Sequence, residues 1–121
     1  MTKIPKPKLY DLEERSYCFA KKCREFVEKL PKTIGNFEDG KQLVRASGSQ
    51  AANYIEANEA LSKKDFLHRV KICRKESKEA SLWLRLVDVG DDINLKKERE
   101  SLINEIVELK KIYSSIIFKS L

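Results

Sequence analysis

Apolar and small residues recur along most of the chain at alternating spacings of four and three, which is the pattern of a helix with one buried face. The first such stripe consists of Leu12, Ser16, Phe19, Cys23, Phe26 and Leu30. Asp11 is the predicted N-cap of this helix, because its carboxylate can accept a hydrogen bond from the first turn. The helix is predicted to end before Pro31, since proline removes a helical hydrogen bond and clashes with the preceding turn.

Two more stripes follow. The second is rich in small residues, which predicts close packing against a neighbouring helix, and consists of Val44, Ser47, Ala51, Tyr54, Asn58 and Leu61. Ser62 is followed three positions later by Asp65, a pattern that is typical of the first turn of a helix. The third stripe consists of Phe66, Val70, Cys73, Ser77, Ala80, Leu84 and Val87.

Residues 89–94 contain turn signals, with Gly90 as the predicted C-terminal glycine and Asn94 as the predicted N-cap of a fourth helix. The fourth stripe consists of Leu95, Leu102, Ile106, Leu109, Tyr113 and Ile116. Four helices of about 20 to 26 residues with short loops predict an all-α fold, an antiparallel up-down four-helix bundle. We expect residues 11–121 to form this single domain, and residues 1–10 to form a flexible basic leader.

Composition agrees with this fold class and adds a charge. The 121 residues include only 4 Gly and 3 Pro, which disfavours an all-β fold. The 25 Lys and Arg exceed the 19 Asp and Glu, so the net charge of +6 favours anionic partners. No apolar run approaches the roughly 18 to 20 residues of a membrane span, and no apolar segment of a secretory signal follows the basic N-terminus. The sequence thus predicts a cytoplasmic protein with no membrane contact.

The residues that usually carry catalysis are scarce. The sequence has one histidine and lacks a G-x-S-x-G motif, a glycine-rich phosphate loop and an H-E-x-x-H motif. We therefore expect no enzyme activity, no cofactor and no metal, and an ordinary exposed position for His68. The cysteines, Cys18, Cys23 and Cys73, are odd in number and include no C-x-x-C pair, so we expect reduced, largely buried thiols.

The third helix concentrates the basic charge. Between residues 62 and 78, seven Lys and Arg accompany two acidic residues, a local excess of five that nearly equals the excess of the whole chain. At about 100° per residue, most of these cations lie on a face well away from the core stripe. Such a face can contact phosphates without reading sequence, and the predicted contacts are Lys64, Lys71, Arg74, Lys75 and Lys78. The alternative is an ordinary solvated helix face.

The opposite flank of the third helix is apolar outside the core stripe. Ile72, Trp83 and Leu86 cluster there. A four-helix bundle buries one stripe per helix, so this additional strip predicts a subunit interface. The alternative is a broad core stripe that already includes Trp83.

Residues 49–66 and 71–84 resemble the four-helix bundle proteins of the ribosomal RNA intervening-sequence family, and the resemblance extends over nearly the whole chain. Its most specific parts are Asn53-Tyr54, Glu56-Ala57, Ser62 with Asp65-Phe66, Lys75-Glu76, Glu79 and Trp83-Leu84. Among these, Asn53, Glu56 and Glu76 are expected to pair between helices and fix their register, because a buried carboxylate needs a partner. The alternative for Asn53 is a hydrogen bond that it donates to a backbone group or to a base edge.

The resemblance implies a bundle that assembles as a ring, typically a pentamer with a central channel, and no enzymatic activity. A related branch resembles the accessory subunit that assists the reverse transcriptase of diversity-generating retroelements and contacts nucleic acid through a basic surface. Resemblance and charge together predict a non-catalytic, homo-oligomeric module that binds RNA or DNA. The alternative is a protein interaction scaffold for a reverse transcriptase or another partner.

Overall fold

A computed structural model describes residues 12–121, which form four helices and no strand. The helices are α1 (Leu12–Glu28), α2 (Ile34–Asn58), α3 (Lys63–Leu86) and α4 (Ile93–Lys119). Each helix packs against the next one along the chain, and α1 also packs against α4, so the bundle is closed. The predicted all-α four-helix bundle is confirmed. The predicted basic leader and N-cap Asp11 lie outside the described residues.

Ion pairs between α1 and α4 show that these helices are antiparallel. Arg15, near the start of α1, pairs with Glu105, and Lys29, just after its end, pairs with Glu98. The later residue of the α1 segment thus pairs with the earlier residue of α4, as antiparallel helices require.

Side-chain caps define where the helices begin. Ser62 caps α3 as predicted, since its hydroxyl accepts a hydrogen bond of 3.0 Å from the amide of Asp65. The predicted cap Asn94 is wrong, because Asp92 caps α4 by accepting from the amide of Leu95 and the helix has begun by Ile93. Among the described residues, neither Asp91 nor Asn94 accepts a hydrogen bond from an amide of the first turn of α4.

Most of the predicted core stripes are confirmed. All six residues of the first stripe are buried, and so are the predicted residues of the third stripe from Val70 onward. The second stripe is wrong at its end, since Asn58 is exposed and Leu61 lies in the loop after α2 with 100% of its surface exposed. In α4, Ile117 is buried, whereas the predicted Ile116 is half-buried against the core.

A buried polar network joins three helices inside the core. The Gln50 side-chain amide, on α2, donates to the carbonyl of Ser16 on α1 at 2.9 Å and to that of Ser47 at 3.0 Å. Its oxygen accepts a hydrogen bond of 2.6 Å from the Tyr113 hydroxyl on α4. Burial raises the pKa of Tyr113, so the hydroxyl stays protonated and able to donate. A network of this kind fixes the register of the helices, because any slip leaves its groups unpaired.

Close contact between α1 and α2 depends on one glycine. A Cβ on Gly40 would lie 2.9 Å from Cγ1 of Val27, whereas a Cβ on Gly35 would meet no atom within 4 Å. We expect Gly40→Ala to lower the free energy of unfolding by about 1–2 kcal/mol, because overpacking outweighs the gain in helix propensity. Gly35→Ala is the matched control and should raise it by about 0.4–1 kcal/mol. Urea unfolding measures both, and equal stabilisation by the two substitutions would contradict the close contact.

Candidate nucleic-acid interface

A surface depression of about 440 Å³ lies between α3 and α4. It is lined by five cationic side chains and one hydroxyl, those of Lys71, Arg74, Lys75, Lys78, Lys110 and Ser114. We call this feature the basic depression. No acidic residue between positions 12 and 121 lines it.

The helical pattern explains why these side chains converge. The buried residues Val70, Cys73 and Ser77 turn one face of α3 toward the core, which directs the intervening lysines outward. On α4, Lys110 directly follows the buried Leu109, so its side chain emerges at the edge of the helix that packs against α3. The two helices thus bring cations from distant parts of the chain to one concave surface.

None of the five cations forms an ion pair within 4.0 Å among residues 12–121. The two acidic residues nearest them in sequence are both paired with a cation of α2, and one of them, Glu79, lines a neighbouring groove together with Lys75, Lys78 and Lys110. Arg45 of α2 contacts Glu76 at 3.1 Å and Glu79 at 2.8 Å. The hydrogen bond to Glu76 is the main reason why the pKa of Arg45 is raised. The carboxylates nearest in sequence are therefore already paired with Arg45, and the five cations of the basic depression make no ion pair of their own among the described residues.

Four of the five predicted phosphate contacts line the basic depression, and Lys64 does not. Lys64 is exposed on the same face of α3, seven residues before Lys71 and about 10 Å away along the helix axis. His68 is exposed between them, as expected. Sequence reasoning missed Lys110 and Ser114, because it counted charge along one helix. No sequence signal marked Lys110, because Glu108 flanks the buried Leu109 in the same way and only the packing of α4 against α3 distinguishes the two.

The apolar strip of α3 is only partly covered. Trp83 is half-buried and packs against the core, as the alternative of a broad core stripe expects, and its Nε1 is buried without a hydrogen-bond partner among the described residues. Ile72 is also half-buried, while Leu86 keeps 54% of its surface exposed. The subunit interface at these three residues stays a prediction.

Pairing between α2 and α3 is observed for two of the three polar residues expected to fix register. Asn53 Oδ1 accepts a hydrogen bond of 3.1 Å from Arg69, and the buried carboxylate of Glu76 is held by Arg45. Glu56 is exposed. The register function is therefore supported for Asn53 and Glu76, whereas Glu56 lies outside the helix interface.

The other chemistry-bearing groups are buried or dispersed. Burial raises the pKa of Cys23 and of Cys73 to about 12, so both remain protonated thiols, while Cys18 is half-buried. Within residues 12–121, no three His, Cys, Asp or Glu residues come together as a metal site. No helix in this part of the chain has the length and apolar character of a membrane span.

Comparison with known proteins identifies the family. No curated protein matches the sequence. The fold is similar to a 1.70 Å crystal structure of a protein of unknown function from the S23 ribosomal protein family of Bacteroides thetaiotaomicron VPI-5482. The two share 29% sequence identity and a TM-score of 0.75, over 88% of this chain and 97% of that one. The model of the family described as "23S rRNA-intervening sequence protein" matches residues 9–115. Since that match spans most of the sequence, the chain belongs to the 23S rRNA-intervening sequence protein family.

Proposed function

We propose that this protein is a non-catalytic module that binds RNA or DNA through the basic depression. The observation that carries the proposal is the set of five cations, from two helices, that converge there without an ion pair among the described residues. Like charges held together repel one another, and a nucleic-acid backbone supplies regularly spaced negative charges that relieve this repulsion. Released counterions add to the favourable free energy of binding.

The side chains at the basic depression favour binding without sequence preference. Four of the five cations are lysines, which act as mobile point charges on phosphates, and Arg74 adds a planar group able to make two hydrogen bonds to one phosphate. Contacts of this kind position a backbone but do not distinguish bases.

Self-association is part of this proposal. Ile72, Trp83 and Leu86 provide an apolar strip on α3, and Leu82 is also 43% exposed on that helix. A homo-oligomeric ring, a pentamer by resemblance to the family, would cover apolar area and repeat the basic depression around its axis. Repetition would raise affinity for a long polyanion by increasing the effective concentration of sites.

The second candidate function is a scaffold that binds a protein, such as a reverse transcriptase. A groove of about 520 Å³ beside the basic depression favours it, because exposed Leu82 and half-exposed Val107 line this groove together with Arg85. A mixed apolar and charged groove is typical of protein contacts. In this case the cations would face an acidic protein surface.

Native mass spectrometry of the wild-type protein separates the two functions. The protein is mixed with a structured RNA, and separately with a DNA duplex of similar charge, at about 50 mM and about 200 mM salt. We expect complexes with both ligands at the lower salt concentration and a large loss at the higher one. Absence of both complexes at the lower salt concentration would reject nucleic-acid binding and favour the scaffold. The mass of the free protein reports the number of copies.

A further inference from the structure

An aromatic ring is exposed on α4, one helical turn beyond Ser114, which lines the basic depression. Phe118, on α4, has 79% of its surface exposed. It follows Ser114 by four residues and Lys111 by seven, so the three side chains share one face of the helix. A phenyl ring with this exposure gains little from folding, since the hydrophobic contribution scales with the area removed from water. The ring therefore contributes little to the core and is accessible to a ligand.

The direction of α4 places this ring relative to the cations. From Lys110 through Ser114, both of which line the basic depression, α4 runs toward the N-terminal end of the antiparallel α3. Phe118 lies one turn further, about 6 Å beyond Ser114 along the helix axis. The exposed Lys64 extends the basic face of α3 toward the same end. The ring does not itself line the basic depression, but it lies one turn beyond Ser114, at the end of the bundle toward which Lys64 extends the positive charge.

We propose that Phe118 is a stacking platform for an unpaired base of a single-stranded nucleic acid whose backbone follows the basic depression. The proposal rests on the proposed function and specifies its ligand. Proteins that bind single strands combine a cationic groove with aromatic rings on which bases stack, and every base has a face that can stack. Bases inside a duplex are already stacked on one another, so Phe118 discriminates in favour of single strands.

The exposed and half-buried aromatic side chains of the other helices are not placed to stack on a base bound at the basic depression. Phe66 and Trp83 of α3 are half-buried and pack against the core. Tyr17 and Phe37 are exposed, but they lie on α1 and α2, which contribute no side chain to the basic depression. Tyr17 is therefore a matched control, as an exposed ring of a different helix.

The test compares Phe118→Leu with Tyr17→Leu by fluorescence anisotropy on a 12-nucleotide single strand, as RNA and as DNA, and on the corresponding duplexes. We expect Phe118→Leu to weaken single-strand binding about 5- to 150-fold, the equivalent of one lost base stack, and to change duplex binding less than about twofold. The salt dependence should stay unchanged, because no charge is removed. Tyr17→Leu should bind like the wild type.

Several results would overturn the inference. Unchanged single-strand affinity of Phe118→Leu excludes the stack, and an equal loss on duplexes excludes the preference for single strands. A change in the native mass of Phe118→Leu would show that the ring contacts another copy of the chain. If the wild-type protein binds neither single strands nor duplexes, the proposed function itself fails, which is a different result from a Phe118 variant that keeps wild-type affinity.

Discussion

The double charge reversal Lys71→Glu with Lys75→Glu is expected to weaken RNA and DNA binding about 100-fold or more at low salt. Each substitution removes a cation from the basic depression and puts a carboxylate opposite the phosphates, so both attraction and counterion release are lost. Both residues are exposed, and the bundle should keep its stability. Fluorescence anisotropy with a labelled duplex and a labelled single strand measures the affinity, and circular dichroism checks the fold.

The matched control is Lys21→Glu with Lys22→Glu. These two residues are exposed on α1, and their reversal changes the net charge by the same amount without touching the basic depression. We expect this control to weaken binding less than about tenfold through the long-range field alone. Equal losses in the two double variants would mean that binding follows net charge, and would contradict a defined surface.

Gln50→Ala is expected to lower the free energy of unfolding by about 3–5 kcal/mol. It leaves a cavity at a residue with 0% exposure, and it leaves the buried Tyr113 hydroxyl without its acceptor. Such a loss is a large part of the about 5–15 kcal/mol by which ordinary domains are stable. Urea denaturation followed by circular dichroism measures it.

Gln42→Ala is the control for this substitution. Gln42 lies on α2 as well but is exposed, and within the described part of the chain its side chain makes only a hydrogen bond of 3.3 Å, which it accepts from Arg45. A change within about 0.5 kcal/mol is expected. If Gln50→Ala costs as little as Gln42→Ala, the network does not fix the packing of α1, α2 and α4.

The helices were predictable because the buried face of a helix requires apolar or small residues every three to four positions along the sequence. The stripe from Leu12 to Leu30 is buried throughout, since tertiary packing and local pattern agree there. Helix ends were less predictable, because several residues near each end can cap. Asp92 and Asn94 both suit an N-cap, and periodicity does not choose between them. Leu61 continued the second stripe in sequence, although the chain had already turned at Asn58.

The basic surface was predictable along α3 and not across the bundle. Charge counting found Lys71 and Lys75 because they lie on one helix, where spacing determines the face. Lys110 is separated from them by more than thirty residues, and only the register of α3 against α4 brings it to the basic depression. In the same way, sequence indicated that Glu76 needs a partner, but the identity of that partner, Arg45, depends on how α2 packs against α3.

The salt dependence of binding tests the central claim most directly. The logarithm of the binding constant of the wild-type protein for a DNA duplex is measured against the logarithm of salt concentration. Five cations on phosphates predict a slope between about −4 and −5, and Lys110→Gln should reduce its magnitude by about 1. A wild-type slope near zero, or a slope that Lys110→Gln leaves unchanged, would contradict the basic depression as the surface that binds nucleic acid.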